Sequence, residues 1–420
     1  MNMFKKVFSF SSTDQSDKES NDQPAKKIKD PSFNIDSNFA QSIVLPLGYT
    51  VTKEKAFTRG IYFLTETSEL DVSKMYSIFQ ELVKKYPRIK HEDEFRYECC
   101  TKKGGIDFNN KEITSLIRSS ATYLIGQIGR KVLSGDFNLT TISFPIRVMI
   151  PLTILQSIAR SLFQFPYYCE LAKDLDVIEK MKFAIVAYLS SFYCSTFCLK
   201  PMNPVLGETY EACFSDGTKI FMEQTSHHPP ITHYELIGPN NNFYFTGFSN
   251  FKSSAGLNHL MVFNNGKRTL AFKDGTKIKF NHCKECYNNT LFGTINLESQ
   301  GEIVFTEEKS GLYCKIKLGA IKGKPSDCIS GEILQNDKVV STISGSFLSH
   351  IDFDGVRYWD IRDNFPISLI DYEKNLPSSC VYREDRVLLE QNKVEDAQVA
   401  KEKIENIQRG DRKLREKAKK

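Results

Sequence analysis

The sequence predicts a mainly β protein with flanking helices, built on a large and mostly antiparallel sheet. Short runs rich in strand-forming residues alternate with turn residues from about residue 200 to about residue 370. In one such run, 313–318, apolar and polar residues alternate, as in a strand with one buried face. The pentapeptide Asp-Gly-Thr-Lys-Ile occurs at 216–220 and 274–278. Asp-Gly between such runs is a strong hairpin signal, in which we expect both turn residues to take positive φ.

Many short antiparallel strands predict a sandwich or a barrel. Open sheet edges are costly because their unpaired N–H and C=O groups attract other strands, so a continuous sheet of this size favours closure. A large barrel leaves an internal cavity. We therefore expect a barrel with a tunnel over about 200–370.

Helical periodicity precedes the predicted barrel. Over 111–131, apolar residues recur at spacings of four, three and four, which predicts an amphipathic helix. Its apolar stripe consists of Ile117, Ala121, Leu124 and Ile128. Further helical patterns run over 151–199 and are interrupted near Pro166.

The two ends of the chain are polar. The composition of residues 1–31 predicts disorder, and residues 32–110 match no module that the sequence identifies. A charged helix is expected over about 383–410, followed by a basic tail over 411–420. Residues 393–420 alone hold ten Lys or Arg, so the positive charge is concentrated at this end.

Composition excludes some classes of function. The net charge is only +5, so the chain lacks the global basic field typical of a protein that binds nucleic acid. Residues 1–10 hold two lysines and no long apolar run, which predicts no secretory leader, reduced cysteines and a cytoplasmic protein. The uncharged stretch 183–199 is seventeen residues long, whereas a spanning helix needs roughly 20 apolar residues. A buried helix is favoured there, and a membrane span is the alternative.

Adjacent histidines mark one candidate site. His227 and His228 precede two prolines, which force extended backbone at His228. At the end of a strand, both imidazoles could converge on a phosphate, which would raise their pKa values. The alternative is a structural turn with solvated histidines.

Two segments have a more specific spelling. Residues 223–230 read Glu-Gln-Thr-Ser-His-His-Pro-Pro, and residues 200–208 read Lys-Pro-Met-Asn-Pro-Val-Leu-Gly-Glu. Both segments resemble hallmark motifs of the oxysterol-binding protein family, in the family's order, and the resemblance runs over about 111–409. It implies a lipid-binding domain over 111–410. The implied fold is a large, mostly antiparallel, incomplete β-barrel that encloses a lipid tunnel under an N-terminal helical lid, about 111–140.

The resemblance also implies a ligand. In the family, these segments bind the phosphorylated head group of phosphatidylinositol 4-phosphate at the barrel mouth. Here Lys200 would pair with phosphate and Asn203 would hydrogen-bond the head group. His227 and His228 would clamp the inositol-bound phosphate.

The C-terminal helix and the lid extend the implied site. Lys401, Glu405 and Arg409 are four residues apart, so they share one helix face, as in the family. Lys401 and Arg409 would reach phosphate, and Glu405 would orient them. Ordinary ion pairing on a solvated helix predicts the same spacing and is the alternative. The stripe over 111–131 would cover the lipid tail when closed and contact a membrane when open, and a plain core-packing helix is its alternative.

The sequence departs from the family pattern in two places. Gly345, Ser346 and Phe347 stand where the family usually has Gly-Lys-Trp, and the only tryptophan is Trp359. We expect phenylalanine to preserve the packing. No acidic two-phenylalanine motif for docking on receptors of the endoplasmic reticulum is evident.

These observations predict an intracellular lipid-transfer protein that is not an enzyme. It would extract one lipid at a time, phosphatidylinositol 4-phosphate in exchange for a sterol or phosphatidylserine. We expect a monomer that contacts membranes peripherally from the cytoplasm and needs no cofactor. A lipid sensor or scaffold is the alternative function. The shape of the tunnel decides which second lipid binds, and no motif of the sequence encodes that shape.

Other kinds of chemistry have weaker support. Neither a Gly-x-Ser-x-Gly elbow nor a Walker A loop is present, which disfavours a hydrolase and a nucleotide-binding enzyme. His282, Cys283 and Cys286 lack a second ligand pair at zinc-binding spacing, which disfavours a metal site.

Overall fold

The structure is a computed structural model. It describes residues 51–53, 62–64, 102–108, 111–128, 143–192, 200–256, 258–319, 321–361, 369–372 and 374–418. The segment 1–31, predicted to be disordered, lies outside the described residues.

Strands dominate the described part of the chain. They are β1 Val51–Lys53, β2 Tyr62–Leu64, β3 Ile106–Phe108, β4 Met149–Thr153, β5 Lys200–Met202, β6 Thr209–Phe214, β7 Lys219–Ser226, β8 Ile231–Ile237, β9 Phe243–Ala255, β10 His259–Asn264, β11 Arg268–Phe272, β12 Lys277–Phe280, β13 Lys284–Asn288, β14 Ile295–Glu307, β15 Leu312–Leu318, β16 Cys328–Gln335, β17 Lys338–Ser346, β18 His350–Phe353, β19 Val356–Asp360 and β20 Leu369–Asp371. Among the described residues, eighteen of these strands form one sheet, and β4 pairs with β5 in a separate parallel pair.

The large sheet is a mostly antiparallel meander. From β6 to β9, each strand pairs with the next. The long strand β9 also pairs with both β10 and β11, and the long strand β14 pairs with both β12 and β13. The meander continues from β14 to β19, while β20 joins β6 to β2, in parallel with β2. Within the described residues, β19 pairs with β18 alone, so no pairing closes the sheet. The predicted fold class, a mostly antiparallel and incomplete barrel with helices, is confirmed.

Side-chain alternation explains why the sheet has one buried face. In β15, Cys314, Ile316 and Leu318 are buried, whereas Tyr313 and Lys317 are exposed, as the sequence pattern predicted. Burying this face removes apolar area from water at roughly 25 cal/mol per Å². The alternation therefore fixes the register, since a slip of one residue would turn every apolar side chain outward.

The two Asp-Gly turns connect hairpins, β6 to β7 and β11 to β12. Of the two turn residues, only the glycine takes positive φ, with Gly217 and Gly275 both at 90°. In the first turn, the Phe214 N–H donates to the Thr218 carbonyl at 2.7 Å. The expectation of positive φ at both residues is wrong, because a three-residue loop with a glycine bulge needs it at the glycine alone.

Six helices lie in the described part of the chain. They are α1 Lys111–Ile128, α2 Ile154–Ser161, α3 Phe165–Ala172, α4 Val177–Leu189, α5 Glu384–Glu390 and α6 Val394–Ala418. Asp176 caps α4 by accepting the N–H groups of Ile178 and Glu179 at 2.9 and 3.0 Å. Pro166 lies in the first turn of α3, which accounts for the interruption in the helical pattern.

The element bounds differ from expectation in three places. Residues 151–153, expected to be helical, complete strand β4. The C-terminal helix continues through most of the expected basic tail and ends at Ala418. Region 32–110 contributes β1, β2 and β3, and β3 pairs with the start of β14, so the sheet begins before residue 111.

The last turns of helix α4 form the first part of the uncharged stretch 183–199. Its residues from Phe183 to Leu189 are buried against the sheet, and 193–199 lie outside the described residues. Helices of the described ranges are all too short or too polar to cross a bilayer.

Aromatic side chains join the helices to the inner face of the sheet. Phe245 stacks on Phe165 of α3 at 4.2 Å between centroids and on Phe280 at 5.9 Å, and Phe305 continues the stack at 4.8 Å. Phe347, which replaces the family's tryptophan, is 3% exposed and contacts the ring of Phe192 at 5.7 Å. The segment 345–347 therefore keeps an aromatic side chain in the core.

Candidate lipid-binding site

A cavity of about 440 Å³ lies between the inner face of the sheet and the helices. Its walls are largely apolar and include Ile154, Ile158, Leu162, Phe245, Leu260 and Val262. Lys200, Asn203 and His227 line the same cavity. The cavity therefore combines an apolar interior with a polar group of motif residues, which we call the mouth.

The segment 200–208 forms one side of the mouth. The Lys200 ammonium donates hydrogen bonds to the Asn203 side chain and, at 3.1 Å, to the Pro201 carbonyl. The Arg383 guanidinium holds this loop by donating to the Asn203 carbonyl at 2.7 Å and to Glu208 at 2.9 Å. Glu208 is buried, so its ion pair with Arg383 fixes the loop. The Lys200 and Asn203 side chains of this loop line the cavity.

The charge of Lys200 is poorly compensated. Burial first, and then the positive charges of Lys401 and Arg383, lower its pKa to about 7. The negative charge of Glu405 raises the pKa of Lys200 and offsets part of this effect. Near neutral pH, Lys200 is therefore only partly protonated, and an anion beside it would raise its pKa.

The histidine pair forms the β7–β8 turn on another side of the mouth. The two rings lie 4.5 Å apart between centroids, and the bond between His228 and Pro229 is cis. His227 is half-buried and lines the cavity, whereas His228 is exposed. Burial first, and then the positive charge of Arg412, lower the pKa of His228. The pKa of His227 is also lowered, first by burial and then by His228, Arg415 and Arg412.

Helix α6 supplies the remaining motif residues. Glu405 accepts a hydrogen bond from the Lys401 ammonium at 2.5 Å and from the Arg409 guanidinium at 3.1 Å. Ser143 lies between α6 and the rest of the mouth, because it accepts from Lys401 at 2.7 Å and donates to Glu405 at 2.9 Å. Next to it, the Phe144 ring lies 5.8 Å from the Lys200 ammonium. The structure thus brings Glu405 between the two cations that share its helix face.

Several mouth residues carry no motif signal. Ser143 and Phe144 lie between predicted elements, and Arg383 lies before α5, so nothing in their local spacing indicated a site. Arg412 and Arg415 continue the basic face of α6 beyond Arg409. The excess of Lys and Arg at the C-terminus was the one signal that pointed to them.

Part of the predicted lid stripe lines the cavity. Ile117 and Ala121 of α1 are half-buried and form part of the cavity wall. Leu124 and Ile128 belong to α1, but their side chains lie outside the described residues, as do residues 129–140 of the predicted lid. The described half of α1 therefore lies where a lid residue must lie to touch a bound lipid.

The residues disfavoured as zinc ligands lie away from the mouth, and His282 is the one of the three that lines the cavity. His282 lines the wall, where the Tyr188 hydroxyl is hydrogen-bonded to its Nδ1 atom and Glu285 lies 3.9 Å from its Nε2 atom. Cys283 and Cys286 are buried in and beside β13. In the described ranges, no group of three or more His, Cys, Asp or Glu side chains has the arrangement of a metal site.

Comparison with solved structures shows where this fold occurs. The chain shares its fold with the Osh1 ORD domain solved in complex with cholesterol, at TM-score 0.61 and 18% identity, covering 84% of this chain and 90% of that one. It is also similar to the Osh3 ORD from Saccharomyces cerevisiae solved in complex with PI(4)P, at TM-score 0.57 and 19% identity, covering 77% and 89%. At these identities the likeness establishes the fold.

Sequence comparison establishes the family. The chain is 30% identical over 321 residues to oxysterol-binding protein 9 of Dictyostelium discoideum, which covers 69% of this chain and 74% of that protein. It is 28% identical to human oxysterol-binding protein-related protein 3 over 71% of this chain, although it spans only 36% of that longer protein. The family model described as oxysterol-binding protein matches residues 125–366. This protein therefore belongs to the oxysterol-binding protein family and carries its lipid-binding domain.

Proposed function

We propose that this protein extracts phosphatidylinositol 4-phosphate from a membrane and exchanges it for a second lipid, either a sterol or phosphatidylserine. The observation that carries the proposal is the group of cations around the opening of an apolar cavity. Lys401 and Arg409 donate hydrogen bonds to a single carboxylate, that of Glu405, and Lys200 in the cavity wall lies near enough for the charges of Lys401 and Glu405 to shift its pKa. This excess of positive charge suits a phosphorylated head group, whose burial requires cations and hydrogen-bond donors.

The proposed division of labour follows the motif residues. Lys200 pairs with a phosphate, Asn203 donates to the head group, and His227 and His228 clamp the phosphate that links inositol to glycerol. Lys401 and Arg409 bind phosphate from α6. Their hydrogen bonds to Glu405 restrict their rotamers before the lipid arrives, which lowers the entropy cost of binding.

The apolar walls account for transfer between membranes. Burial of each methylene group is worth roughly 0.8 kcal/mol, so a lipid tail is held in a bilayer by on the order of 10 kcal/mol. A cavity that supplies equal apolar burial cancels most of this cost. Because the two lipids would share one cavity, each would exclude the other, which is what counter-exchange requires. The PI(4)P complex of Osh3 and the cholesterol and ergosterol complexes of Osh1 support both halves of this scheme.

Helix α6 offers a surface for transient contact with the cytoplasmic face of a membrane. Val399, Ile407 and Leu414 are 68%, 57% and 65% exposed. Their spacing places them within about 80° of one another around the helix axis, and Lys403 lies between them. Exposed aliphatic residues flanked by cations are typical of helices that bind anionic membrane surfaces. Arg412 and Arg415, which lie close enough to lower the pKa of His227, belong to the opposite face of the same helix, so the stripe and the mouth flank α6 on two sides.

Extraction from liposomes tests the proposal. Purified protein is incubated with liposomes that contain labelled phosphatidylinositol 4-phosphate, with sterol or phosphatidylserine as competitor. We expect one lipid per protein, lost in the double variant His227→Ala/His228→Ala and kept in His233→Ala, a nearby exposed histidine on β8. Unfolding of the double variant would support a structural role for the pair, and a folded wild-type protein that extracts nothing would contradict the proposal.

Transport rate separates a carrier from a lipid sensor. A monomeric carrier must release its ligand at each membrane, whereas a sensor can hold it while it recruits a partner. We expect transfer between donor and acceptor liposomes to accelerate when the second lipid is supplied in the acceptor. Binding without transfer would instead favour the sensor.

A further inference from the structure

A buried arginine lies in the wall of the cavity, on a different element from the motif residues of the mouth. Arg268 begins β11, is 4% exposed and lines the cavity. It lies opposite Gly247 of β9, where a Cβ atom would come within 2.7 Å of the Tyr234 hydroxyl. Glycine at this position therefore lets the Tyr234 side chain cross β9 and reach the guanidinium.

The partners of Arg268 are all neutral. Its guanidinium donates to the Gly266 carbonyl at 3.0 Å, is hydrogen-bonded to the Tyr234 hydroxyl and lies 5.5 Å from the centre of the Tyr188 ring. Within the described ranges, no carboxylate lies within salt-bridge distance of it. An arginine keeps its charge at any physiological pH. Burial of such a charge without a counter-ion costs several kcal/mol.

The acidic residue of this region is held elsewhere. Glu285 also lines the cavity, but its carboxylate faces the Nε2 atom of His282 at 3.9 Å. His282 in turn is hydrogen-bonded through Nδ1 to the Tyr188 hydroxyl. Glu285 is thus engaged with the histidine side of this cluster and leaves Arg268 without a carboxylate.

Two other polar pairs of the wall are satisfied internally. Thr232 donates to the Gln224 amide oxygen at 2.5 Å, and the Asn264 amide donates to Ser249 at 3.0 Å. These pairs are neutral and need no ligand to offset their burial. Arg268 differs from these pairs because it carries a full charge while it is buried in the cavity wall.

We propose that Arg268 binds the ionised carboxylate of a lipid inside the cavity, and that a single-chain fatty acid is therefore a second ligand of this protein. The inference rests on the proposed function, because it assigns a ligand to the same cavity. A carboxylate matches the guanidinium fork and forms charge-assisted hydrogen bonds to it. The acyl chain then packs against Phe245, Leu260 and Val262, which line the walls.

Displacement of cis-parinaric acid, a fluorescent polyene fatty acid, tests the anchor. The competitors are oleate and oleyl alcohol, which differ in the carboxylate and share the chain. We expect oleate to compete about tenfold more strongly, since a carboxylate forms charge-assisted hydrogen bonds to the guanidinium that a hydroxyl group cannot form. Equal competition by acid and alcohol in the wild-type protein would overturn the proposal without any variant.

Variants test whether Arg268 causes the preference for oleate over oleyl alcohol. We expect Arg268→Met to abolish the preference for oleate while oleyl alcohol still competes, and Arg268→Lys to retain part of it. Lys252→Met is the matched control, because Lys252 also lines the cavity but is exposed, and it should keep the full preference. A preference that survives Arg268→Met would overturn the anchor.

Two further experiments identify the lipid that supplies the carboxylate and separate this proposal from the proposed function. Vesicles with phosphatidylserine as their only carboxylate lipid test the other source of this group. Displacement by these vesicles that depends on Arg268, in the absence of displacement by oleate, would overturn the fatty-acid assignment. Extraction of phosphatidylinositol 4-phosphate is measured in parallel. Normal extraction without acid preference overturns the anchor alone, whereas loss of all lipid binding by folded protein overturns the proposed function as well.

Discussion

The Lys401 ammonium and the Glu405 carboxylate lie 2.5 Å apart on successive turns of α6. Lys401 is only 5% exposed, which is unusual for a lysine on a helix whose mean composition is strongly polar. Ser143 contacts both groups, so the cation is fixed in position from two directions. Lys401 therefore differs from a lysine that merely pairs on a solvated surface, which leaves a binding role or a structural role for it.

Replacement of Lys401 tests this difference. We expect Lys401→Met to reduce extraction of phosphatidylinositol 4-phosphate about tenfold, because it removes a charge-assisted hydrogen bond to phosphate. Lys393→Met is the control, since Lys393 is exposed, lies just before α6 and belongs neither to the mouth nor to the aliphatic stripe of that helix. The control should extract within about twofold of wild type. Equal loss in both variants would show that only the net charge in and around α6 matters.

Extraction should strengthen as the pH falls from about 8 to about 6.5. In the ligand-free protein the pKa of Lys200 is about 7, and the pKa values of His227 and His228 lie below their ordinary value. Phosphate raises all three, so binding takes up protons and is favoured by acid until the free groups are already protonated. Below about pH 6 the phosphate itself gains a proton, which weakens binding again.

Calorimetry in two buffers of different ionisation enthalpy measures this uptake directly. We expect net proton uptake near pH 7.5, reduced in Lys200→Met. Proton release, or no change between buffers, would contradict the assignment of these groups to the phosphate site.

A charge on the lid should disrupt the bound state. Ile117 lines the cavity, so Ile117→Asp would place a carboxylate against the lipid and should lower extraction by about tenfold or more. Ser115 lies on the exposed face of the same helix, and Ser115→Asp should leave extraction within about twofold. Circular dichroism checks that both variants retain their helix. Similar extraction by both would mean that α1 does not cover the lipid.

The exposed stripe of α6 should govern membrane contact. We expect Ile407→Asp to weaken binding to anionic liposomes several-fold and to slow extraction, with little change in affinity for a soluble short-chain head-group analogue. Val356→Asp, which adds the same charge at a 61% exposed position on β19, should have no such effect. Equal loss in the two variants would point to a general effect of negative charge.

The sequence was informative wherever a short motif defines local geometry. The alternation in β15 and the histidines at the end of β7 could be placed before the structure was known, because strand period and proline chemistry act over a few residues. Motif spelling supplied the family, and with it the barrel. These predictions needed no knowledge of which distant segments meet.

The rest depends on contacts between distant segments. Arg383 reaches Glu208 across 175 positions, and Ser143 reaches Glu405 across 262, so neither pairing has a local pattern. Arg268 is a single cation in a run that looks like any half-buried strand. In the described part of the fold no carboxylate lies within salt-bridge distance of it, and this isolation depends on tertiary packing.

The pentapeptide at 216–220 and 274–278 has one sequence in two different surroundings. Its two copies therefore test how far tertiary contacts change the behaviour of a local sequence. Asp216 and Asp274 occupy the same place in two copies of one pentapeptide, and each accepts the backbone N–H two residues on. Asp216 is fully buried, and burial raises its pKa to about 6. Asp274 is half exposed. Burial is the largest single influence on its pKa and raises it, but the contacts with Lys180 and Thr276 together outweigh burial and lower the pKa.

The two aspartates should therefore respond to replacement with opposite sign. The folded-state pKa of Asp216 is raised, so the folded protein binds more protons than the unfolded chain between about pH 4 and pH 6, and its stability falls as the pH rises through that window. Asp216→Asn should stabilise the protein at pH 7.5 by about 1–2 kcal/mol, because the uncharged amide can keep both contacts with Thr218. Asp274→Asn should destabilise it slightly at that pH, by at most about 1 kcal/mol, since its pair with Lys180 is partly exposed.

Chemical denaturation of both variants at pH 5 and pH 7.5 measures these free energies of unfolding. The stabilisation by Asp216→Asn should shrink toward pH 5, where the wild-type carboxyl is protonated in the fold. Destabilisation by Asp216→Asn at pH 7.5 would show that the Thr218 hydrogen bonds outweigh the burial of the charge. The turn would then be governed by its local sequence, and the two copies should respond alike.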